Sequence, residues 1–301
     1  MEERVYKELE KINQEKKDIY FSKEMYRGRT LINLIKCIKS VNFAGIIDIF
    51  AHHNAVKVVN NNYSYLNKEL YINESVAESN KKIAVYTCMI GNYDKLMSPI
   101  CLEDNVDYYV ITDCKDEFDG WQKINIPDEL LSWDKTKINR YIKMHPNIFF
   151  ENYNYTIYID ANMRIVGNPY SFCGAADNSN LGIAFYEHKE RNCIYEEAEV
   201  CKLYKKGNKK GIEEQISRYK SDGFPLNYGL LEGSVIVRSL QNDKGKKLLE
   251  LWWNEFNETT SNRDQLSLPY TLWKNNYQIN DIGLLGNDLF RDKRVDITLH
   301  K

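Results

Sequence analysis

From Lys81 onwards, short apolar runs alternate with segments whose apolar residues recur at helical spacing. Strand-length runs cover Ile83–Met89, 108–112, Tyr155–Ile159 and 234–237. The run Tyr155–Ile159 is almost continuously apolar, which is typical of a strand covered on both faces. Helical patterns lie between these runs, most clearly at 134–144. This alternation predicts an α/β fold in which a mainly parallel, mixed sheet is sandwiched by helices.

The first 80 residues carry a different pattern, which predicts a helical extension and a linker before a main domain at 81–301. Residues 2–17 indicate an exposed, charge-rich helix, and 60–80 is a polar stretch typical of a linker. Between them lies an apolar stripe at helical spacing, made of Leu31, Ile32, Leu34, Ile35, Ile38 and Val41. It is flanked by the basic residues Lys23, Arg27, Arg29, Lys36 and Lys39. The stripe could pack on the main domain or on a second subunit. Alternatively, residues 23–57 could contact an anionic membrane surface.

Bulk composition argues against several partners and sites. The formal net charge of -2 provides no basic field of the kind that attracts nucleic acid. Seven Cys at irregular spacings, without a CxxC pair, argue against a disulfide framework and a structural zinc site. The N-terminus lacks an apolar signal core, and no apolar run approaches the roughly 18 residues of a membrane span. We therefore expect a protein of the cytoplasm or of the inner face of the membrane.

Asp160 directly follows the buried run, within the sequence Tyr-Ile-Asp-Ala-Asn at 158–162. Ligands of open α/β sheets bind beyond the carboxyl ends of the strands, so this acid is expected to face a crevice. Its carboxylate could hold Mg²⁺ or Mn²⁺, hard cations that bridge diphosphate oxygens. The alternative is an aspartate that caps the next turn.

The segment 87–94, after the first strand, offers groups for a nucleotide base and ribose. Gly91 allows close approach of a ligand to the backbone, and Asn92 and Asp94 supply hydrogen-bonding groups. A Gly-Asn sequence is equally typical of an ordinary turn.

The helix predicted at 134–144 carries four cations, Lys135, Lys137, Arg140 and Lys143. The last three recur every three residues, so we expect them on a broad exposed side of the helix. They could bind donor phosphates. A merely solvated charged face is the alternative.

Two other segments carry candidate catalytic carboxylates. Asp264 and Gln265 precede an apolar run and are predicted to open a helix. Asp264 could accept a proton from an acceptor hydroxyl, or it could simply cap the helix. Glu232, just before the run at 234–237, is the other candidate for that role.

Histidines supply the remaining candidate ligands. His188 and Arg191 follow a predicted strand and could bind an anion, although a lone histidine is more often structural. His300 could complete a metal site as neutral imidazole, although it lies in a terminus that is prone to fraying.

Several segments carry a likeness to a known family in the same order along residues 81–300. They are Tyr-Thr-Cys-Met-Ile-Gly-Asn-Tyr-Asp at 86–94, Tyr-Val-Ile-Thr-Asp at 109–113, Arg-Tyr-Ile-Lys-Met-His-Pro at 140–146, 158–162, 188–197, Gly-Leu-Leu-Glu at 229–232, Trp-Trp at 252–253 and Arg-Asp-Gln-Leu-Ser at 263–267. Together they resemble the glycosyltransferase-like family catalogued as domain of unknown function 616. That resemblance implies a GT-A-like (Rossmann-like) fold, similar to that of the family-8 glycosyltransferases.

The resemblance also implies roles for particular residues. Asp160 would take the place of the first acid of the GT-A Asp-x-Asp motif, and Asn162 that of the second. Asp264 and Gln265 resemble a pair that family-8 enzymes place near the sugar. The implied donor-binding residues are Thr87, Gly91, Asn92, Tyr93, Asp94, Asp113, Lys137, Arg140, Asp160, Ala161, Asn162, His188 and Arg191. An Mn²⁺ or Mg²⁺ ion would be held by Asp160, Asn162 and His300. Its affinity should be low because Asn162 brings no negative charge, so Lys137, Arg140 or Arg191 would supply countercharge.

We therefore expect a glycosyltransferase that moves a sugar from a nucleotide-diphosphate donor to a saccharide or glycolipid acceptor, in polysaccharide or glycan synthesis. Asp264, Gln265 and Glu232 would line the sugar and acceptor pocket. One alternative is a metal-dependent hydrolase of a sugar- or lipid-like substrate that uses Asp160 with His188 or His300. The other, suggested by Asn162, is an inactive sugar-nucleotide-binding protein.

Overall fold

The computed structural model describes residues 2–20, 23–40, 42–62 and 68–298, with the backbone alone for 23–29 and 60–62. The helices within these ranges are α1 Glu3–Tyr20, α2 Lys23–Lys39, α3 Phe43–Asn62, α4 Lys135–Met144, α5 Tyr170–Asp177, α6 Ile194–Leu203, α7 Lys209–Ser221, α8 Asp243–Asn257 and α9 Asp264–Lys274. The strands are β1 Ile83–Met89, β2 Val106–Thr112, β3 Gln122–Asn125, β4 Tyr155–Ile159, β5 Met163–Ile165, β6 Ile183–Glu187, β7 Leu231–Ser239, β8 Gly283–Gly286 and β9 Val295–Ile297.

The centre of the fold is a seven-stranded sheet with the order β3-β2-β1-β4-β7-β6-β8. Strand β7 runs antiparallel to its neighbours β4 and β6, whereas the other adjacent pairs are parallel. Strands β5 and β9 form a separate antiparallel pair. The predicted fold class, an α/β protein with a mainly parallel mixed sheet, is confirmed.

Both faces of the sheet are covered by helices. Successive side chains of a strand point to opposite faces, so each central strand contributes side chains to two cores. In β1, odd-numbered residues face one core and even-numbered residues face the other, and all seven are buried. Helix α5 packs in the first core, and α4, α8 and α9 pack in the second. This double coverage explains why the central strands are almost continuously apolar.

One edge of the sheet collects the predicted site residues. Parallel strands β1, β2, β4 and β6 end there, and they are followed by Gly91, Asp113, Asp160 and His188. Because β7 runs in the opposite direction, its first residues lie at the same edge, and the backbone N–H of Asp160 donates to the carbonyl of Ser234 at 3.0 Å. Glu232 therefore reaches the edge from the start of its strand.

Helix α1 docks on the domain, which corrects the expectation of an exposed charged helix. Tyr6, Asn13 and Lys17 are buried and lie on one helix face. The Asn13 amide donates to the carbonyls of Lys293 and Val295 at 2.8 and 3.0 Å, and Lys17 Nζ donates to the Asp292 carbonyl at 2.6 Å. The helix contributes polar groups that satisfy loop carbonyls, so its sequence resembles that of a solvated helix.

The expected linker at 60–80 is corrected in two places, because 60–62 form the end of α3 and 68–80 lie on the domain. Ile72 forms an isolated bridge with Gly286, and the Ala77 N–H donates to the Tyr170 carbonyl at 3.0 Å. By contrast, four side chains of the α2 stripe are exposed, namely Leu31, Ile32, Ile35 and Ile38, whereas Leu34 is half-buried and Val41 lies outside the described residues. The expectation that the stripe packs on the main domain is wrong for these four side chains, and packing on a second subunit stays a prediction.

Asn13→Ala should lower the free energy of unfolding by about 1–3 kcal/mol, because two buried carbonyls lose their donor. Gln14→Ala is the matched control, since Gln14 contacts only Asp18 at the exposed surface, and it should change stability by less than about 0.5 kcal/mol. Urea unfolding of the three proteins measures both values. Equal stability of Asn13→Ala and wild type would show that α1 does not dock as described.

Candidate active site

A cavity of about 910 Å³ opens at the edge of the sheet where the predicted residues collect. Its volume lies within the usual range of small-molecule sites. Its lining includes seven Lys or Arg side chains and five Asp or Glu side chains. The cations are Lys135, Arg140, Lys143, Lys189, Arg191, Lys206 and Arg263, and the anions are Asp160, Glu190, Glu197, Glu232 and Asp264. The described lining is therefore net cationic although the chain as a whole is acidic.

A buried ion-paired trio forms the floor of the cavity. The Asp264 carboxylate lies 2.9 Å from Arg140 Nε and 2.7 Å from Lys143 Nζ. Lys143 Nζ also lies over the Tyr158 ring, 5.3 Å from its centroid, and near Trp252 at 5.9 Å. The trio joins α4 to the first residue of α9 and so fixes both helices relative to the sheet.

The start of α9 is held by hydrogen bonds from neighbouring elements. Trp252 Nε1 donates to the Asp264 carbonyl at 3.0 Å, and Gln265 Nε2 donates to the Leu231 carbonyl at 3.1 Å. The second bond ties α9 to the first residue of β7, beside Glu232. Asp264, Gln265 and Glu232 thus all line the cavity, as the sequence predicted.

Burial opposes ionisation of Asp264, but the Arg140 and Lys143 charges outweigh it and hold the pKa of Asp264 well below its usual range. Burial lowers the pKa of Lys143, while Asp264 acts in the opposite direction. A carboxylate of such low basicity is a poor proton acceptor. The prediction of Asp264 as a general base is therefore replaced by a role in holding cations at the floor.

The cavity face of α4 differs from the predicted exposed side. The lining residues Lys135, Asn139 and Lys143 recur every four residues, and Lys143 is only 3% exposed. Lys137 faces away from the cavity and lies over the Trp133 ring, 4.6 Å from its centroid. Lys137 therefore does not line the cavity, whereas Lys135 does. A four-residue spacing joins Lys135 to Lys143 through Asn139, and it would have predicted the helix face that lines the cavity.

The loop after β1 is fixed by Asp113, whose carboxylate accepts the Gly91 N–H at 2.7 Å. Gly91 has a φ of 72°, and a Cβ there would lie 2.6 Å from Lys135 Nζ. The absence of a side chain therefore lets the ammonium lie directly over the loop backbone. Gly91 and Tyr93 line the cavity.

Asp113 and three further residues predicted for the donor site do not line the cavity. Thr87 is completely buried within β1 and Asp94 is 2% exposed, so neither side chain is open to the cavity. Asn92 has a φ of 50° and acts as a turn residue.

Asp160, Ala161 and Asn162 line the cavity at the end of β4. The Asp160 carboxylate accepts the Tyr158 hydroxyl at 3.0 Å. Asn162 is committed elsewhere, because its Nδ2 donates to the Thr298 carbonyl at 2.7 Å and its Oδ1 is shielded from solvent.

These residues fit a dedicated metal centre poorly. Within 2–20, 23–40, 42–62 and 68–298, no three His, Cys, Asp or Glu side chains converge as a metal-binding group. Asp160 presents one carboxylate to the cavity, whereas the Asn162 oxygen is closed off. His300, the third predicted ligand, lies outside the described residues.

His188 and Arg191 line the cavity but face carboxylates. His188 Nδ1 accepts the backbone N–H of Arg191 at 3.1 Å, which leaves the proton of the neutral ring on Nε2, 3.7 Å from Glu197. Burial lowers the pKa of His188 and favours that neutral form. Arg191 pairs with Glu197 at 2.6 Å and with Glu190 at 2.9 Å. Both predicted anion binders are therefore part of an internal network, which the sequence did not indicate because Glu197 lies on a later helix.

Glu232 has fewer commitments than Asp264. One of its carboxylate oxygens accepts the Ser234 hydroxyl at 2.9 Å, and no described residue binds the other. The next residue, Gly233, leaves room beside the trio, since a Cβ there would lie 3.0 Å from Lys143 Nζ. Glu232, like Asp160, is thus a cavity carboxylate that is available to a bound molecule.

Asp264→Asn should reduce stability in a pH-dependent manner. A depressed folded-state pKa contributes stability above the unfolded value of about 4, and this contribution is lost as the pH falls through the folded-state pKa. The difference in unfolding free energy between wild type and Asp264→Asn should be constant from pH 7 to 5 and should shrink below about pH 4. Asp119→Asn, at an exposed loop position, should follow wild type throughout. A difference that did not change with pH would contradict the buried ion pairing.

The sequence matches a known protein family. Residues 110–294 match the family described as "TOD1/MUCI70, glycosyltransferase-like domain". No curated protein sequence matches the chain. The match agrees with the glycosyltransferase-like part of the resemblance, whereas the family-616 label and the likeness to family 8 stay predictions.

Similar solved structures include the apo WbbM bifunctional glycosyltransferase, at 12% identity and a TM-score of 0.40 over 68% of this chain and 40% of that one. This chain thus spans less than half of the WbbM chain. Apo mouse xyloside xylosyltransferase 1 is similar at 9% identity and a TM-score of 0.42, over 65% of this chain and 83% of that one. Because the family match covers more than half of the sequence, this chain belongs to the TOD1/MUCI70, glycosyltransferase-like domain family.

Proposed function

We propose that this protein transfers a sugar from a nucleotide-diphosphate donor to a saccharide acceptor. The observation that carries the proposal is the cavity face of α4, where Lys135, Arg140 and Lys143 line the edge of the sheet opposite the Gly91 loop. Family membership supports the general class of reaction.

The diphosphate is assigned to the space between the Gly91 loop and the amino-terminal half of α4. Lys135 has no ion-pair partner among the described residues, and its ammonium lies over Gly91. The buried trio contributes two cations, Arg140 and Lys143, and one carboxylate, Asp264, to the floor of the cavity. A diphosphate would supply the missing negative charge and would accept charge-assisted hydrogen bonds from Lys135 and Arg140. As the glycosidic bond to the donor breaks, these fixed cations stabilise the charge that develops on the departing diphosphate.

The base and ribose are assigned to the side of the cavity next to β1, where Ile90 and Tyr93 line it. Tyr93 is 56% exposed, so its ring is accessible for stacking against a base. The sugar would then extend towards Asp160, Glu232 and Gln265, whose polar groups line the inner part of the cavity.

Glu232 is the proposed acceptor of the proton from the attacking hydroxyl. It is hydrogen-bonded at one oxygen only, whereas the Asp264 carboxylate is held by two cations. Asp160 lies on the neighbouring strand end and would bind sugar hydroxyls or a phosphate-bound cation. No step is assigned to a metal, because the described ligands do not form a metal centre.

The alternative of a metal-dependent hydrolase gains no support from the described residues. His188 faces Glu197 and is not paired with Asp160, so no described histidine completes a metal-water site. An inactive binding protein would share the donor site and differ only in turnover, so a turnover assay of the wild type distinguishes the two.

Lys135→Ala should weaken the binding of UDP or GDP about 10- to 100-fold, since one charge-assisted contact contributes about 1.5–3 kcal/mol. Lys137→Ala is the matched control, because it removes the same charge from the opposite side of the same helix. Isothermal titration calorimetry in EDTA measures both without added metal. If neither nucleotide binds at millimolar concentration, or if both variants bind like wild type, the donor-site assignment is wrong.

Glu232→Gln should lower the rate of nucleotide-diphosphate release about 10²- to 10⁴-fold, the usual contribution of a general base. The assay uses whichever nucleotide sugar most raises the melting temperature of wild type. Affinity for the nucleotide diphosphate should stay within about twofold, because Glu232 lies away from the assigned phosphate space. Turnover equal to that of wild type would remove Glu232 from the mechanism, and a wild type without turnover would identify a binding protein.

A further inference from the structure

The hairpin formed by α2 and α3 exposes an unusual amount of apolar surface. In α2 the exposed large side chains are Leu31, Ile32, Ile35 and Ile38, and in α3 they are Phe43, Ile47, Phe50 and Val58. Both helices repeat the same spacing, with exposed residues three and four positions apart. Phe43 and Ile47 are 69% and 67% accessible. A monomer in water rarely leaves such a contiguous surface uncovered.

The domain cannot cover this surface, because α3 uses its opposite face for docking. Asp48 forms an ion pair with Lys205 at 3.0 Å, and the His52 ring lies 5.5 Å from the Tyr204 ring. Ala55 and Val59, on the same side as Asp48 and His52, are buried. The stripe at Phe43, Ile47 and Phe50 therefore points away from the domain.

The exposed face carries positive charge. Residues 23–62 contain six Lys or Arg and two Asp or Glu. Lys36, Lys39 and Lys57 are exposed, and the only acid between residues 30 and 59 is Asp48, which is paired with Lys205. A second copy of the chain would bring like charges together at this face. An anionic lipid surface would complement both the charge and the apolar stripe.

The hairpin is anchored beside the mouth of the cavity. Helix α1 ends at Tyr20, which lines the cavity, shortly before α2 begins. Tyr204 also lines the cavity and contacts His52 of α3. A surface that binds the outward face of the hairpin would thus lie close to the cavity entrance.

We propose that the outward face of the α2–α3 hairpin docks on an anionic lipid surface and holds the cavity mouth beside it. No described helix is long and apolar enough to cross a membrane, so the contact lies in the plane of the interface. The proposal rests on the proposed function in one respect: a lipid-linked saccharide in that surface would then be the acceptor within reach.

The test is co-sedimentation of the full chain with phosphatidylcholine vesicles, with and without phosphatidylglycerol. Binding should require the anionic lipid, and Ile47→Glu with Phe50→Glu should weaken it about 100-fold, roughly tenfold for each large side chain. Leu102→Glu with Leu226→Glu is the matched control, since these side chains are equally exposed elsewhere, at 65% and 70%. The control should bind like wild type.

Absence of vesicle binding, or equal loss in the control, would overturn the proposal. So would a dimer in sedimentation equilibrium that Ile47→Glu with Phe50→Glu dissociates, because a second copy would then be the occupant. Calorimetry with UDP and GDP in vesicle-free solution separates the two hypotheses. The hairpin variant should bind nucleotide like wild type, so a failure of docking leaves the donor site intact, and a failure of nucleotide binding leaves docking intact.

Discussion

The buried pairing of Asp264 with Arg140 and Lys143 is the interaction on which the candidate site depends. It joins the carboxyl half of α4 to the start of α9, and both helices pack on the same face of the sheet. Two buried cations without their carboxylate would carry a large desolvation cost. With it, two basic side chains face one carboxylate at the floor of the cavity. The same pairing keeps Lys135, two turns earlier on α4, aimed at the loop after β1.

Much of the fold follows from local sequence. The strands Ile83–Met89 and Tyr155–Ile159 have the predicted bounds, because strands covered on both faces must be apolar at nearly every position. The direction of β7 does not follow from its composition, since an apolar strand can pair in either direction. Its start at Leu231, three residues before the predicted run, reflects the polar residues Glu232 and Ser234 at the cavity edge. The docking of α1 could not be predicted from the sequence either, because the buried side chains of Asn13 and Lys17 donate hydrogen bonds to carbonyls far along the chain.

The sequence predicts where several candidate residues gather, whereas their functional roles stay predictions. Asp160, Glu232, Asp264 and Gln265 all line one cavity, because the carboxyl ends of parallel strands and the start of an antiparallel one meet there. Lys143 was expected in solvent, since its partner Asp264 lies 121 residues later and nothing local marks the pair. Arg191 was expected to bind a ligand, and its two carboxylate partners occupy it instead. The first error arises because the partner lies far along the chain, and the second because a helix brings Glu197 back onto Arg191.

The central claim is that a diphosphate binds between the Gly91 loop and the cavity face of α4. A crystal structure of the protein soaked with UDP or GDP tests it most directly. The account predicts phosphate oxygens within about 3 Å of Lys135 Nζ and of the Arg140 guanidinium, beyond the ends of β1 and β4. A nucleotide bound with its phosphates away from α4, or outside this cavity, would contradict it.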